Sequence, residues 1–334
     1  MDPVDALTEI AWLLERERSI RYKAKAFRAA GDAIAALDAA VLADPVRLRA
    51  VQGVGETSFT VIRQAQEGRV PDYLAELRER VGGARAGTRR RLLRGELHTH
   101  RECSDGTTPL EAMVGGARAL GHEYLALTDH SPRLRIARGL SAARLEEQLE
   151  VVARLDAAEE GFTLLSGIEV DILDDGSLDQ TDTLLSRVGV VVASVHSKLA
   201  MDAGQMTRRM LGAVSGGRAD VLGHVTGRLV EGARGTRPGA SFDASAVFAA
   251  CAQNEVAVEI NSRPERQDPP DELIALAMQE GCLFAIDSDA HAPGQLSLLD
   301  YGAERAERAG VPAERIVTTW PLHRLRQWLE RPRP

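Results

Sequence analysis

Along residues 2–80 the apolar positions recur at helical spacing: Ile10, Leu13 and Leu14, then Phe27, Ile34 and Leu37, then Phe59, Ile62 and Ala65. Pro3 stands where a first helical turn tolerates it, Asp44-Pro45 opens a further helix, and Gly53-Val54-Gly55 and Gly68 interrupt the pattern. No stretch there reads as a strand, which predicts an all-helical segment. From Gly95 onward the pattern changes. Short apolar runs at 96–99, 124–128, 163–168, 188–195, 220–223, 256–260 and 283–287 alternate with helical stretches at the spacing of βα units. Such repeats, closing on themselves, predict an α/β fold of the (β/α)7 barrel type. Between the two parts, Gly82, Gly83 and Gly87 alternate with Arg85, Arg89, Arg90, Arg91 and Arg94, a composition that predicts an exposed, flexible, basic linker. The expected organisation is a helical domain at 1–81, a linker at 82–94 and a barrel at 95–334.

At 44% hydrophobic and 27% charged residues, the composition is that of a folded globular chain. No apolar run approaches the ~20 residues needed to span a bilayer, so no membrane partner is expected. The acidic start (Asp2, Asp5) does not resemble a targeting peptide, and a cytoplasmic location is expected. The three cysteines, Cys103, Cys251 and Cys282, lie too far apart to suggest a disulfide framework or a thiolate zinc site. Any metal must then use histidine and carboxylate. Charge is divided unevenly: residues 1–94 hold 17 Lys and Arg against 13 Asp and Glu, while the rest holds 24 against 36. One reading is a division of labour, with a basic surface that tolerates polyanions beside an acidic part that concentrates carboxylates as a divalent-cation site would; solvated surface charge is the equal alternative.

The chemistry is concentrated at the C-terminal ends of the strands. The first apolar run ends in His98-Thr99-His100 and is followed by Asp105; the second ends in Asp129-His130; the third in Glu169-Val170-Asp171. The fourth leads to His196, the fifth to His224, and the seventh to Asp289 and His291. Six of the eight histidines thus stand at strand C-termini, which converge on one face of an α/β barrel. Strand alternation points His98 and His100 to the same side. Nine such groups are too many for one tetrahedral ion and suit two or three ions sharing a bridging carboxylate. Nitrogen and oxygen donors fit Zn, Mn or Fe, and paired cations suit phosphoester hydrolysis. Arg263, Arg266 and Lys198 share this rim as candidate substrate contacts, Asp171 is a candidate to orient a ligand, and His122 and His323 stand away from it.

At these residues the sequence resembles the PHP (polymerase and histidinol phosphatase) family, through HTHRECSDG at 98–106, TDHSP at 128–132, GIEVDIL at 167–173, SVHS at 194–197, GH at 223–224, EINSRPERQDPP at 259–270 and SDAH at 288–291. The likeness is greatest to the C-terminal PHP domain of bacterial family X DNA polymerases. It implies a distorted (β/α)7 barrel with a trinuclear metal centre. His98, His100, Glu169 and Asp289 would hold the first metal, Glu169, His130 and His196 the second, and Asp105, His224 and His291 the third. Catalysis would rest on Glu169, His130, His196 and Asp289. Residues 5–80 also resemble the helix-hairpin-helix domain of the same polymerases, in RYKAKAFRAAGDAI at 21–34 and GVGETSFTVI at 53–62. A glycine hairpin exposes backbone N–H groups that hold a phosphate without reading bases, so Gly53, Gly55, Lys23, Lys25 and Arg28 are candidate DNA contacts. Where the family's polymerase palm would lie there is only the linker, and residues 56–67 contain no lysine for lyase chemistry.

The leading expectation is a metal-dependent phosphodiesterase or phosphatase acting on nucleic-acid ends or abasic sites, in the manner of a 3′-5′ exonuclease or DNA-repair enzyme. Its partners would be a phosphoester substrate and DNA held by residues 1–81; no protein partner can be inferred. The rivals are a small-molecule phosphatase of the histidinol-phosphate or nucleotide type, and a DNA-binding scaffold with structural metals.

Overall fold

A computed structural model of the chain describes residues 1–82, 87–232 and 235–332. By its internal contacts the chain divides into two units, Met1–Arg85 with Pro293–Ser297, and Ala86–Ala292 with Leu298–Pro334.

The first unit is all helical: α1 (Pro3–Arg16), α2 (Arg21–Ala35), α3 (Ala39–Ala43), α4 (Pro45–Arg49), α5 (Glu56–Gln66) and α6 (Asp72–Val81). Asp2 caps α1 by accepting from the Val4 and Asp5 amides, and Asp44 does the same for Val46 and Arg47 at α4, each just before a proline. The apolar stripes meet in one core that includes Leu7, Ile10, Leu14, Phe27, Ile34, Leu48, Ile62 and Leu74. Between α4 and α5 the chain turns at Gly53, whose φ of +97° only glycine adopts at little cost.

The second unit contains seven parallel strands in sequential order: β1 (Gly95–Glu96), β2 (Tyr124–Leu127), β3 (Thr163–Asp171), β4 (Val190–Ser194), β5 (Val221–Leu222), β6 (Ala257–Asn261) and β7 (Phe284–Asp287). Helices follow the strands: α7 (Leu110–Ala119), α8 (Ala142–Asp156), α9 (Asp182–Leu185), α10 (Ala203–Ser215), α11 (Ala244–Gln253), α12 (Asp271–Gln279) and α13 (Leu299–Arg308), with α14 (Leu322–Leu329) at the end. The first and last strands meet through a parallel bridge between Thr99 and Ala290. Two buried carboxylates clasp this seam: Glu96 accepts from Ser288 N and Oγ, and Asp287 accepts from Leu97 N. The fold is a (β/α)7 barrel.

Alternation along the strands separates two apolar layers. Val191, Ala193, Val258, Ile260, Phe284 and Ile286 pack outward beneath the helices. Val190, Val192, Ala257 and Ala285 join Trp320, Leu325 and Trp328 in a second cluster, so the C-terminal segment fills one end of the barrel. That parity turns Glu169, Glu259 and Asp287 inward, because their neighbours Ile168, Val170, Val258, Ile260 and Ile286 all belong to the outward layer.

Two expectations need correcting. The first strand is shorter than 96–99, because Leu97 N donates to the Asp287 side chain, and pairing resumes only at Thr99, whose N donates to Thr128 Oγ1 and whose carbonyl accepts from Thr128 N. Part of the expected linker also belongs to the barrel unit. Leu93 is buried in its core, Arg90 pairs with Asp300 at 3.2 Å, and Arg94 pairs with Glu123. Basic residues there found carboxylate partners, which composition alone cannot show; residues 83–86 lie outside the described chain.

Candidate metal centre

The strand ends bring the nine expected ligands into one cluster. Glu169, at the end of β3, is fully buried, and both its oxygens are surrounded by imidazoles. Oε1 lies 3.1 Å from His196 Nε2 and 2.9 Å from His224 Nε2. Oε2 lies 2.7 Å from His130 Nδ1, 3.3 Å from His98 Nε2 and 3.6 Å from His100 Nε2. His100 Nε2 also faces Asp289 Oδ1 at 3.4 Å, and Asp105 Oδ1 faces His130 Nε2 at 3.4 Å and His291 Nε2 at 3.1 Å.

These residues fit metal ions. His98 Nε2, His100 Nε2, His130 Nδ1 and both Glu169 oxygens are buried yet make no hydrogen bond, although each lies close to another polar atom. Buried polar groups are ordinarily satisfied. Lone pairs that converge without a proton donor between them are the arrangement a cation completes. Three groups of side chains can each bring their ligand atoms together around an ion: His100, Asp105, His130 and His291; His98, His100 and Asp289; and His130, Glu169 and His196. This departs from the partition the resemblance implies. His224 stands against Glu169 rather than with Asp105 and His291, since β5 delivers it beside β4 and β3.

The electrostatics follow from burial and crowding. Burial, reinforced by the His291 and His130 rings, pushes His100 down to about 3. Burial also opposes charge on His130, but the carboxylates of Glu169 and Asp105 lift it to about 10. Burial alone would raise Glu169, yet His196, His98 and His130 hold it well below the usual carboxylate range.

A further shell orients the rings. Asp171 accepts from His196 Nδ1 at 2.6 Å, and Glu259 accepts from His98 Nδ1 at 2.5 Å while its other oxygen accepts from His224 N. Glu259 was not among the residues singled out from the sequence. The signal was present in β6, where polar Glu259 and Asn261 alternate with apolar Val258 and Ile260. Carboxylates behind metal-bound histidines fix tautomer and orientation, and their loss lowers metal affinity by about 10- to 100-fold. Glu259→Gln is therefore expected to weaken metal binding by that factor, read by competition with a chelating dye. An unchanged affinity would leave Glu259 a packing residue only.

The remaining candidates divide. Arg263 is buried and engaged: it donates to Asp289 O, reaches His291 Nδ1 and pairs with Glu265. Arg266 Nε lies 3.3 Å from Asp289 Oδ2, at the edge of the cluster. Lys198 pairs with Asp174 and lines a separate cavity of about 740 Å³ with Asp175, Arg208 and Arg209. His122 is buried and His323 exposed, and neither joins the cluster. In the helical unit, Lys23, Gly53 and Gly55 line a cavity of about 420 Å³ with Tyr22, Thr57 and Tyr73. Lys25 is exposed on α2 and does not line it. Arg28 is taken up by Glu15, to which it donates from Nε and Nη2 at 2.8 and 2.6 Å, a partner one helix away that spacing could not reveal.

No helix among the described residues is long and apolar enough to cross a membrane. Residues 96–263 match the PHP domain family. A Bacillus subtilis protein named DNA polymerase/3′-5′ exonuclease PolX is 31% identical over 72% of this chain, which spans 41% of that protein's length. A probable phosphatase of Aeromonas hydrophila is 27% identical over 68% of this chain and 89% of its own length. A solved histidinol phosphate phosphatase from Lactococcus lactis, complexed with zinc, L-histidinol and phosphate, covers 65% of this chain and 94% of its own, at 20% identity and a TM-score of 0.49. The family match takes in half of the chain and runs from the closing seam through Glu169 to Arg263, so the chain belongs to the PHP domain family and is a metal-dependent phosphoesterase of that type.

Proposed function

We propose that the chain hydrolyses phosphodiesters at nucleic-acid ends or abasic sites, with two or three Zn, Mn or Fe ions held by His98, His100, Asp105, His130, Glu169, His196, His224, Asp289 and His291. The observation that carries the metal chemistry is Glu169, a buried carboxylate ringed by five imidazoles. Divalent cations in such a site lower the pKa of water and neutralise phosphoryl oxygens. The protein's own groups supply the rest. Glu169 would hold ions through both oxygens, with His130, His196 and Asp289 as further ligands; Asp171 and Glu259 keep the His196 and His98 rings aligned, and Arg263 holds the Asp289 carbonyl and the His291 ring. Arg266, at the cluster's edge, is placed to meet a phosphoryl oxygen. Lys198, already paired, has a lesser claim.

Two observations support a nucleic-acid substrate: the likeness to the exonuclease-named relative, and the cavity of the helical unit. There Gly55, the N-cap of α5, has no side chain to cap the first-turn amides, its own N donates to Ser58 Oγ, and it leaves open space where a side chain would stand. With Lys23 lining the same cavity, the first-turn amides of α5 from Glu56 onward suit a phosphate of the strand in a helix-hairpin-helix mode. The likeness to a probable phosphatase over 89% of that protein's length favours a second reading, a small-molecule phosphatase.

The metal-loaded protein, both units present, is expected to cleave short DNA bearing a free 3′ end or an abasic site, with higher kcat/KM than for histidinol phosphate or nucleoside monophosphates. Turnover of the monoesters with intact DNA would replace the first reading by the second.

A further inference from the structure

Between β2 and α8, residues 131–140 make a tight excursion whose two feet stand on the metal centre. Ser131 N donates to Glu169 O at 2.9 Å, and Leu140 N donates to His130 O at 2.7 Å. Ser131 Oγ accepts from Asp171 N at 3.0 Å. The body of the loop is held as firmly. Ala137 and Leu140 are buried, and Arg138 donates to the carbonyls of Glu102 and Ser104, in the segment that carries Asp105. A Cβ on Gly139 would stand 1.8 Å from Ser131 O, so that position admits only glycine.

This rigid loop presents an aliphatic side chain to water. At its single 3-10 turn (Arg135–Ala137), Ile136 is 93% exposed, more than any other large hydrophobic among the described residues. Leaving it there forgoes the stabilisation that burying an isoleucine ordinarily brings. Arg135 beside it is exposed, and its guanidinium has no ion pair or hydrogen bond among the described residues. Arg133, two residues before it, is exposed as well. A lone isoleucine next to one arginine is far smaller than a stable protein interface of about 1,200–2,000 Å². It does match the edge of a strand, one base face beside one phosphate.

We propose that residues 131–140 form a wedge that engages the end of a nucleic-acid strand, Ile136 packing on the terminal base and Arg135 binding an adjacent phosphate, so that the diester is presented beside His130. Apolar wedges unstack base steps, and stacking on a base face tolerates any sequence. The inference rests on the nucleic-acid reading above and adds the element that grips the strand.

The test compares manganese-loaded wild type, both units present, with Ile136→Ser, Ile136→Leu and Arg135→Ala, on a blunt end-labelled DNA duplex and on bis(p-nitrophenyl) phosphate. The ratio of duplex to small-diester turnover is expected to fall about tenfold for Ile136→Ser and Arg135→Ala and to be kept by Ile136→Leu. The Ile136→Ser loss should be larger on the duplex than on single-stranded DNA, and Arg135→Ala should flatten the salt dependence of KM. Melting curves matching wild type show that the variants fold. An unchanged ratio overturns the wedge and leaves the nucleic-acid reading standing. Wild-type turnover of the small diester with no cleavage of any DNA removes that reading, and the wedge with it.

Discussion

Glu169→Gln is expected to lower kcat/KM for phosphoester hydrolysis by about a thousandfold or more and to reduce the number of metal ions bound. The substitution keeps the shape of the side chain and changes only its chemistry. In the native protein Oε1 serves the side facing His196 and His224, and Oε2 the side facing His98, His100 and His130. An amide replaces one of these oxygens by an NH2 group that repels a cation and cannot bridge. The loss of several kcal/mol of charge stabilisation converts to about three orders of magnitude in rate. Parallel kinetics and elemental analysis of the purified variant check it. Full metal content with activity within tenfold of wild type would show that Glu169 is not the bridge, and the proposed ligand set would have to be redrawn.

Removing the metals is expected to lower Tm by about 10 °C for each ion site emptied, and adding them back should restore it. A ligand present at a thousand times its dissociation constant stabilises the folded state by about 4 kcal/mol per site, and each kcal/mol shifts Tm by about 2–4 °C for a domain of this size. The direction follows from the site: buried atoms of His98, His100, His130 and Glu169 that make no hydrogen bond pay for desolvation, and only the ions offset it. Calorimetry after dialysis against a chelator, with zinc and manganese restored separately, measures the effect. An unchanged Tm in metal-free protein would mean that the cluster is satisfied by its own internal charges, with protonated imidazoles around Glu169 taking the place of cations.

The contacts around Glu259 and Arg28 show where local reading stops. Glu259 could be seen as a polar residue in an apolar strand, but its partner His98 is 161 residues away in sequence and meets it only because barrel closure brings the end of β1 beside β7, one strand from β6. Arg28 reads as a free cation on α2, yet α1 brings Glu15 to it. Arg263 likewise has the right chemistry to bind a phosphate, and the fold directs it to the ligands themselves. Ile136 carried no signal at all, since an apolar residue in a loop is as easily buried as exposed until the surrounding turns are placed.

The sequence by itself determined the alternation of strands and helices, the helical character of residues 2–80, and the placement of six histidines, Glu169, Asp105 and Asp289 at strand ends, because periodicity and the residues after each strand are local properties of the chain. The tertiary structure decided which of them meet: the seam that brings Ala290 to Thr99, the seat of His224 against Glu169, and the partners that occupy Arg28, Arg263 and Lys198. Those pairings are set by strand register and by side chains distant in sequence, and a charge declares its partner only when the folded chain has brought the two within reach.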